Sequence, residues 1–450
     1  MSPHAARKGR VRRSVAVGVP LAVASALVVA GTATGHQAGG GRQEARVTGT
    51  ATLGDIPLGT FSNALLPGTV DDDRGVDLGG IGSDLYPAGR KGEFWTVTDR
   101  GPNGQIKVAG KKRRTFPVPG FDPAIVKIRV FGEKVEVVSA LPLTTSSGRP
   151  VTGLPNQEGR DEAPYTYDAK RPVSYDPNGL DTEGIVRAAD GTFWLVDEYG
   201  PSLIHVSARG KVLKRYVPRG LKLRGADYPV VEALPDILLH RKTNRGFEGL
   251  AQLPGGDLVM ALQSPLSLPN ADAGDGSRTT RLVRFSPKKQ AVTGEYAYRF
   301  DPVGVVDPGE DDTSELKISS VVAVGRDRLL VQERTDKAAR LQTVTLTRKA
   351  NILGGKWDKG TTRPALEELD DPASSGVPVL GKRLVVDLGT VDGVPGKIEG
   401  AARVDSRTLA VINDNDFGMT DGTEAFDKDG RLVDSGVETT VTYVRLPRKY

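Results

Sequence analysis

The chain has 450 residues, with 61 Lys and Arg, 56 Asp and Glu, four His and no Cys. The missing Cys excludes disulfides, a thiolate nucleophile and a Cys-bound zinc, so the fold must stand on its core alone. The surplus positive charge is local: Arg7, Lys8, Arg10, Arg12 and Arg13 face no acid among the first forty residues, and without these five the cations equal the 56 anions. A neutral body removes the electrostatic case for a nucleic-acid partner.

The first element in chain order is a targeting segment. The basic opening leads into apolar residues 15–30 and then into Gly31, Ala33 and Gly35. That is the three-part pattern of a secretory signal peptide over residues 1–35. An apolar stretch broken by Gly18 and Pro20 falls short of the roughly 20 residues that span a bilayer. A cleaved signal and a secreted product are therefore expected, with no stable membrane anchor. Arg12-Arg13 also permits twin-arginine export. Residues 36–75 read as a lead-in segment and residues 76–450 as one domain.

That domain is built on a repeat. The 55 Gly, the 30 Pro and many short Val, Ile, Leu and Thr runs predict strands joined by turns. Glu183, Glu248 and Glu399 each precede a Gly and an apolar strand. Eleven residues later come Trp194, Val259 and Ala410, and fifteen later come Glu198, Gln263 and Asp414. Two weaker copies share the four-residue offset of the second half, from Trp95 to Asp99 and from Leu329 to Glu333. In these, Asp84 and the pair Ser319-Ser320 stand where the Glu-Gly pair is expected.

Each copy reads as strand, tight turn, strand, acidic end. An antiparallel hairpin puts both acids on one edge. A lone hairpin cannot bury its apolar face, so the units must stack. Radial stacking gives an all-β fold, a single β-propeller with every acidic edge on one rim. Residues 124–143 alternate like a further hairpin, so six or seven blades are expected. Residues 71–73, 111–114, 270–277 and 310–312 read as solvated loops.

The chemistry is narrowed by what is missing. His205 lies in an alternating strand and His240 follows an apolar run, both suited to packing. There is no GxSxG elbow, no phosphate-cradling glycine loop and no paired-His zinc spacing. Carboxylates are abundant instead. Asp99, Glu183, Asp197, Glu198, Glu248, Glu333, Glu399, Asp414 and Asp416 would repel one another on a shared rim unless protons or cations intervene. Ca²⁺ is the cofactor that suits such oxygens outside the cell; the competing reading has the acids capping strand ends. Arg100, Arg245 and Arg334 lie beside these acids, and their guanidinium forks suit a phosphate or a neighbouring carboxylate equally.

The blocks DTEG…FWLVDEYGP, NRGFEGLA, LLVQER and KIEGAA…NDNDFG, with FWTVTDRG before them, resemble the phytase-like propeller family, named for the esterase-like activity of phytase. The resemblance runs over residues 79–418. It implies a phosphoric ester hydrolase with a small or polymeric phosphate ester as its partner, expected to act as a monomer. Carried onto this chain, it places the activity on the repeated acids, with catalysis expected of Glu183, Asp197 and Glu198, while the guanidinium forks of Arg100, Arg245 and Arg334 are expected to bind the substrate. Asp99, Glu248, Glu333, Glu399, Asp414 and Asp416 are expected to hold the metal that such a rim calls for. Ser319-Ser320 and Gly82-Ser83 depart from the family pattern. A non-enzymatic extracellular binding propeller and a lactonase-type ester hydrolase are the alternatives.

Overall fold

The computed structural model describes residues 44–65 and 70–450. The signal-peptide reading lies outside the described residues. Among the described residues, no helix is long and apolar enough to cross a membrane.

The repeated sequence folds as the hairpin its offsets predict. Thr182–Arg187 pairs with Phe193–Asp197, Phe247–Gln252 with Leu258–Leu262, and Ile398–Arg403 with Thr408–Asn413, all antiparallel. Two outer strands complete each unit. The second unit adds Ser202–Val206 and Val212–Pro218, and the third adds Thr279–Ser286 and Ala291–Arg299. Lys317–Ala323, Arg328–Arg334, Ala339–Thr345 and Lys382–Asp387 form the fourth. Thr440–Arg445 completes the fifth together with Arg46–Leu53, so part of the expected lead-in segment belongs to the fold.

The first unit also accounts for residues 124–143, expected as a further hairpin unit. Its strands are Tyr86–Pro87, Glu93–Val97, Ala124–Phe131 and Lys134–Pro142. Residues 124–143 supply its outer pair instead of a further unit, because an inserted hairpin, Gly104–Val108 with Lys111–Thr115, separates them from the inner strands. Among the described residues the units are four-stranded except the second, to which Val230–Leu234 adds a fifth strand, in a propeller-type array. The basic run 111–114 is a strand of that insertion, and Ala271–Gly276 is a short helix capped by Asn270, so neither is a plain loop.

The units are held by apolar surface on both sheet faces, which is why the inner strands read as unbroken buried runs. Five clusters each join consecutive units. Val97 and Ile125 meet Ile185 and Leu195; Trp194 and Leu203 meet Met260 and Phe285. Val259 and Leu282 meet Leu329 and Val331; Leu330 and Leu341 meet Leu409 and Val411. Ala410 and Ile412 then meet Phe94 and Val126, which closes the circuit from fifth unit to first.

At the axis the first strands pack backbone to backbone. A Cβ on Gly184 would stand 2.7 Å from Leu250 N and 2.8 Å from Glu248 O, and one on Gly400 would stand 2.8 Å from Asp84 Cα. The Gly of each Glu-Gly pair is thus fixed by contact with the next unit. Asp84 meets Gly400 as the residue at this glycine position, one place away from the Glu position expected for it. Its buried carboxylate accepts from Ile185 N–H (3.1 Å), Ser320 Oγ (3.1 Å) and Ala401 N–H, tying together three other units. Burial pushes its pKa up to about 8. Leu85, Ile185, Leu250, Val321 and Ala401, one from each unit, line a cavity of about 250 Å³ on this side of the axis.

Gly184→Ala is expected to cost about 1–3 kcal/mol by overpacking. Gly255→Ala, with nothing within 4 Å of the new Cβ, is expected to stay within about 0.5 kcal/mol of the parent. Unfolding midpoints of the two variants check this, and equal midpoints would contradict the axial packing.

Candidate functional site

The chemistry-bearing ends of the hairpins meet at the opposite end of the axis. In the second, third and fifth units, the residue after the second strand donates its N–H to the residue two before the Glu position. Glu198 bonds Asp181 O (3.0 Å), Gln263 bonds Gly246 O (2.9 Å) and Asp414 bonds Lys397 O (3.1 Å). Side chains from these positions line one cavity of about 540 Å³.

Ten of the twelve residues expected from sequence line it: Asp99, Arg100, Glu183, Glu198, Arg245, Glu248, Arg334, Glu399, Asp414 and Asp416. Asp197 and Glu333 do not, because successive strand residues face opposite ways. Asp197 points inward, accepting from Asp181 N–H (2.7 Å) and Ser202 Oγ (2.6 Å) and pairing with Arg215 at 2.5 Å, both partners fully buried. Glu333 accepts from Tyr298 Oη (2.6 Å), Asp301 N–H (3.1 Å) and Lys382. Their neighbours Glu198 and Arg334 hold the cavity positions.

The fourth unit reverses the charge pattern. Ile318 pairs with Glu333 as Ile398 pairs with Asn413, so Arg334 stands where Asp414 stands in the fifth unit, opposite Ser319 in place of a Glu. Arg334 donates through Nε to Ser319 Oγ (2.6 Å), bonds Glu399, and lies 3.6 Å from Glu248. Arg100 pairs with Glu162 (3.3 Å) and Asp181 (3.4 Å). Two of the three guanidiniums expected to bind substrate, Arg100 and Arg334, are thus engaged with the protein's own acids. Lys397 likewise joins Asp414 (2.7 Å) and Asp416. Arg245, half-buried and bonded to Ser264 Oγ (3.0 Å), keeps the rest of its fork toward the cavity.

The second unit is offset only in part, by Arg100 on Asp181. Glu198 Oε1 is buried with no hydrogen-bond partner. Burial first, then the charges of Glu248, Asp181, Glu198 and Glu399, pushes Glu183 well above the usual carboxylate range. Glu198 is raised by burial and then by Glu248 and Asp181. Burial lifts Asp181 to about 6, and Asp99 rises through burial, Asp414 and Asp181. One oxygen from each of Asp181, Glu183 and Glu198 lies within 4.8 Å of the others, a span that one divalent cation bridges. An orphaned oxygen in this donor set fits a hard cation.

Asp181, Lys317 and Lys397 escaped the sequence reading, although each stands two residues before the Glu position and so shares its face. Lys112 and Arg114 were set aside as loop residues. The inserted hairpin brings them to the cavity, where Arg114 holds Glu162 through two 3.0 Å bonds. His205 stacks on Trp194 at 4.2 Å, away from this site, in the packing role expected of it.

A family model described as phytase-like, esterase-like activity of phytase, matches residues 76–417. A curated relative, an uncharacterized secreted protein of Arthroderma benhamiae, is 27% identical over 352 residues, covering 66% of this chain and 67% of its own. Among solved structures, a luciferin-regenerating enzyme matches 82% of this chain and 92% of its own at 11% identity, with a TM-score of 0.35. A calcium-binding protein, regucalcin from Agrobacterium tumefaciens, covers the same shares at 11% identity and 0.33. At such scores the fold and its chemistry rest on this chain's own residues.

Arg215→Met would strand the buried Asp197 charge and is expected to cost about 3–5 kcal/mol. Glu198→Gln removes one of several buried like charges and is expected to leave chelator-treated protein as stable or more so. Denaturant unfolding checks the order, and the reverse order would return Asp197 to the candidate site.

Proposed function

The chain belongs to the phytase-like family, esterase-like activity of phytase, and from that premise we propose an exported, calcium-dependent hydrolase of phosphoric esters. The supporting observation is the buried trio Asp181, Glu183 and Glu198, in which Arg100 offsets only Asp181 and Glu198 Oε1 has no hydrogen-bond partner. The N-terminal pattern and a relative named as secreted support export.

A phosphate ester is itself anionic, and the cavity wall carries twelve carboxylates against seven Lys and Arg. Such a wall repels the substrate until cations enter. Asp181, Glu183 and Glu198 would hold the ion, and calcium bound there would supply positive charge for the phosphoryl oxygens and lower the pKa of a nearby water. Arg245 orients the phosphate through its free fork. Asp99, raised in pKa and outside the ion-holding trio, takes the proton from the attacking water. No His lines the cavity, so a carboxylate must serve.

The wall also argues against an apolar acyl substrate. Among the described residues that line the cavity, Met419 alone is apolar. This favours a hydrogen-bonding phosphate ester over a lactone with a hydrocarbon face.

Inorganic phosphate is expected to bind in calcium and to be lost in chelator, followed by titration calorimetry. Turnover of a phosphomonoester or a phosphodiester should share that dependence. Asp99→Asn should lower kcat by about 10²–10⁴-fold, and Arg245→Ala should act mainly on KM. Calcium-dependent phosphate binding without turnover of either ester would favour the binding propeller. Full turnover in chelator would overturn the reading.

A further inference from the structure

Glu183 belongs to two donor sets. Its carboxylate lies with Asp181 and Glu198 on one side and with Glu248 and Glu399 on the other, and in each trio one oxygen per residue falls within 4.8 Å of the others. Oxygens on one Ca²⁺ sit about 2.3–2.6 Å from it, so this separation is the most one ion spans.

Each trio carries an independent sign of a missing ligand. Glu198 Oε1 is buried without a partner in the first. Gln263, 7% exposed, flanks the second. Its Nε2 donates to Glu248 Oε2 at 2.5 Å, and since a carboxylate only accepts, the amide nitrogen must face it. The amide oxygen is thereby left buried, unpartnered and on the cavity wall. Carboxylate and amide oxygens are calcium's preferred donors.

Charge points the same way. Asp181, Glu183, Glu198, Glu248 and Glu399 meet two buried guanidiniums, Arg100 on Asp181 and Arg334 on Glu248 and Glu399. The five acids outnumber the two guanidiniums in direct ion pairs with them. We propose that the cavity holds a pair of divalent cations bridged by Glu183, one seated by Asp181 and Glu198, the other by Glu248, Glu399 and the Gln263 amide oxygen. This rests on the single-cation reading above and extends it to a two-metal centre, in which adjacent cations clamp the phosphoryl oxygens.

The test uses the metal alone on the full protein. Calcium calorimetry is expected to give two equivalents per chain, in keeping with the two donor trios. Mn²⁺ should give an exchange-coupled electron-spin spectrum, which ions in unlinked sites do not produce. Glu198→Gln and Glu399→Gln should each leave one equivalent, and Glu183→Gln should abolish the coupled signal. Where a variant fails to fold, the wild-type stoichiometry and spectrum decide. A single equivalent with calcium-dependent phosphate binding, or two uncoupled ions, overturns the pair and leaves the single-cation reading standing. Absence of binding overturns both.

Discussion

The close approach of the first strands at the axis is the constraint on which the rest depends. Gly184 packs on Leu250, Gly249 on Val321 and Gly400 on Asp84, with no room for a Cβ between them. Five apolar seams around the circuit force this contact. Because the glycine is locked toward the neighbouring strand, the preceding Glu is fixed at the other end of the axis. Acids from separate units are then crowded whether or not their charges agree.

Crowding explains the charge reversals. Arg334 in place of an acid, Ser319 in place of a Glu, and Lys397 two places ahead of one all reduce repulsion on the fourth and fifth units. The second unit has no equivalent device beyond Arg100. A purely structural ring would gain by neutralising it, since buried unpaired carboxylates are costly. Retained strain of this kind is what a ligand site requires.

Much of this was legible in sequence, for identifiable reasons. The eleven- and fifteen-residue offsets are set by antiparallel pairing within one hairpin, so Glu183 with Glu198 and Glu399 with Asp414 could be placed together without coordinates. Asp197 and Glu333 were misplaced because strand alternation was not applied to the adjacent charged residues Glu198 and Arg334. Asp84 was misplaced by one residue, since its neighbours Ser83 and Leu85 carry no Glu-Gly signature. Residues 124–143 read as a further unit because an insertion parts the first unit's strands, and Arg46–Leu53 gave no hint of pairing with Thr440–Arg445 at the far end of the chain.

The central claim is that the cavity's carboxylates stay uncompensated until a cation arrives. It is tested most directly by thermal unfolding against pH, in chelator and in saturating calcium. Asp181 near 6 and Asp84 near 8 are raised by burial, as are Glu183 and Glu198. Acids raised in the folded state bind more protons there than in the unfolded chain, so chelated protein should lose stability as pH climbs from about 5 to 8. Calcium competes with those protons, so its stabilisation should widen over the same interval. Curves that superimpose from about pH 5 to 8, or chelated protein that gains stability across it, would contradict the account.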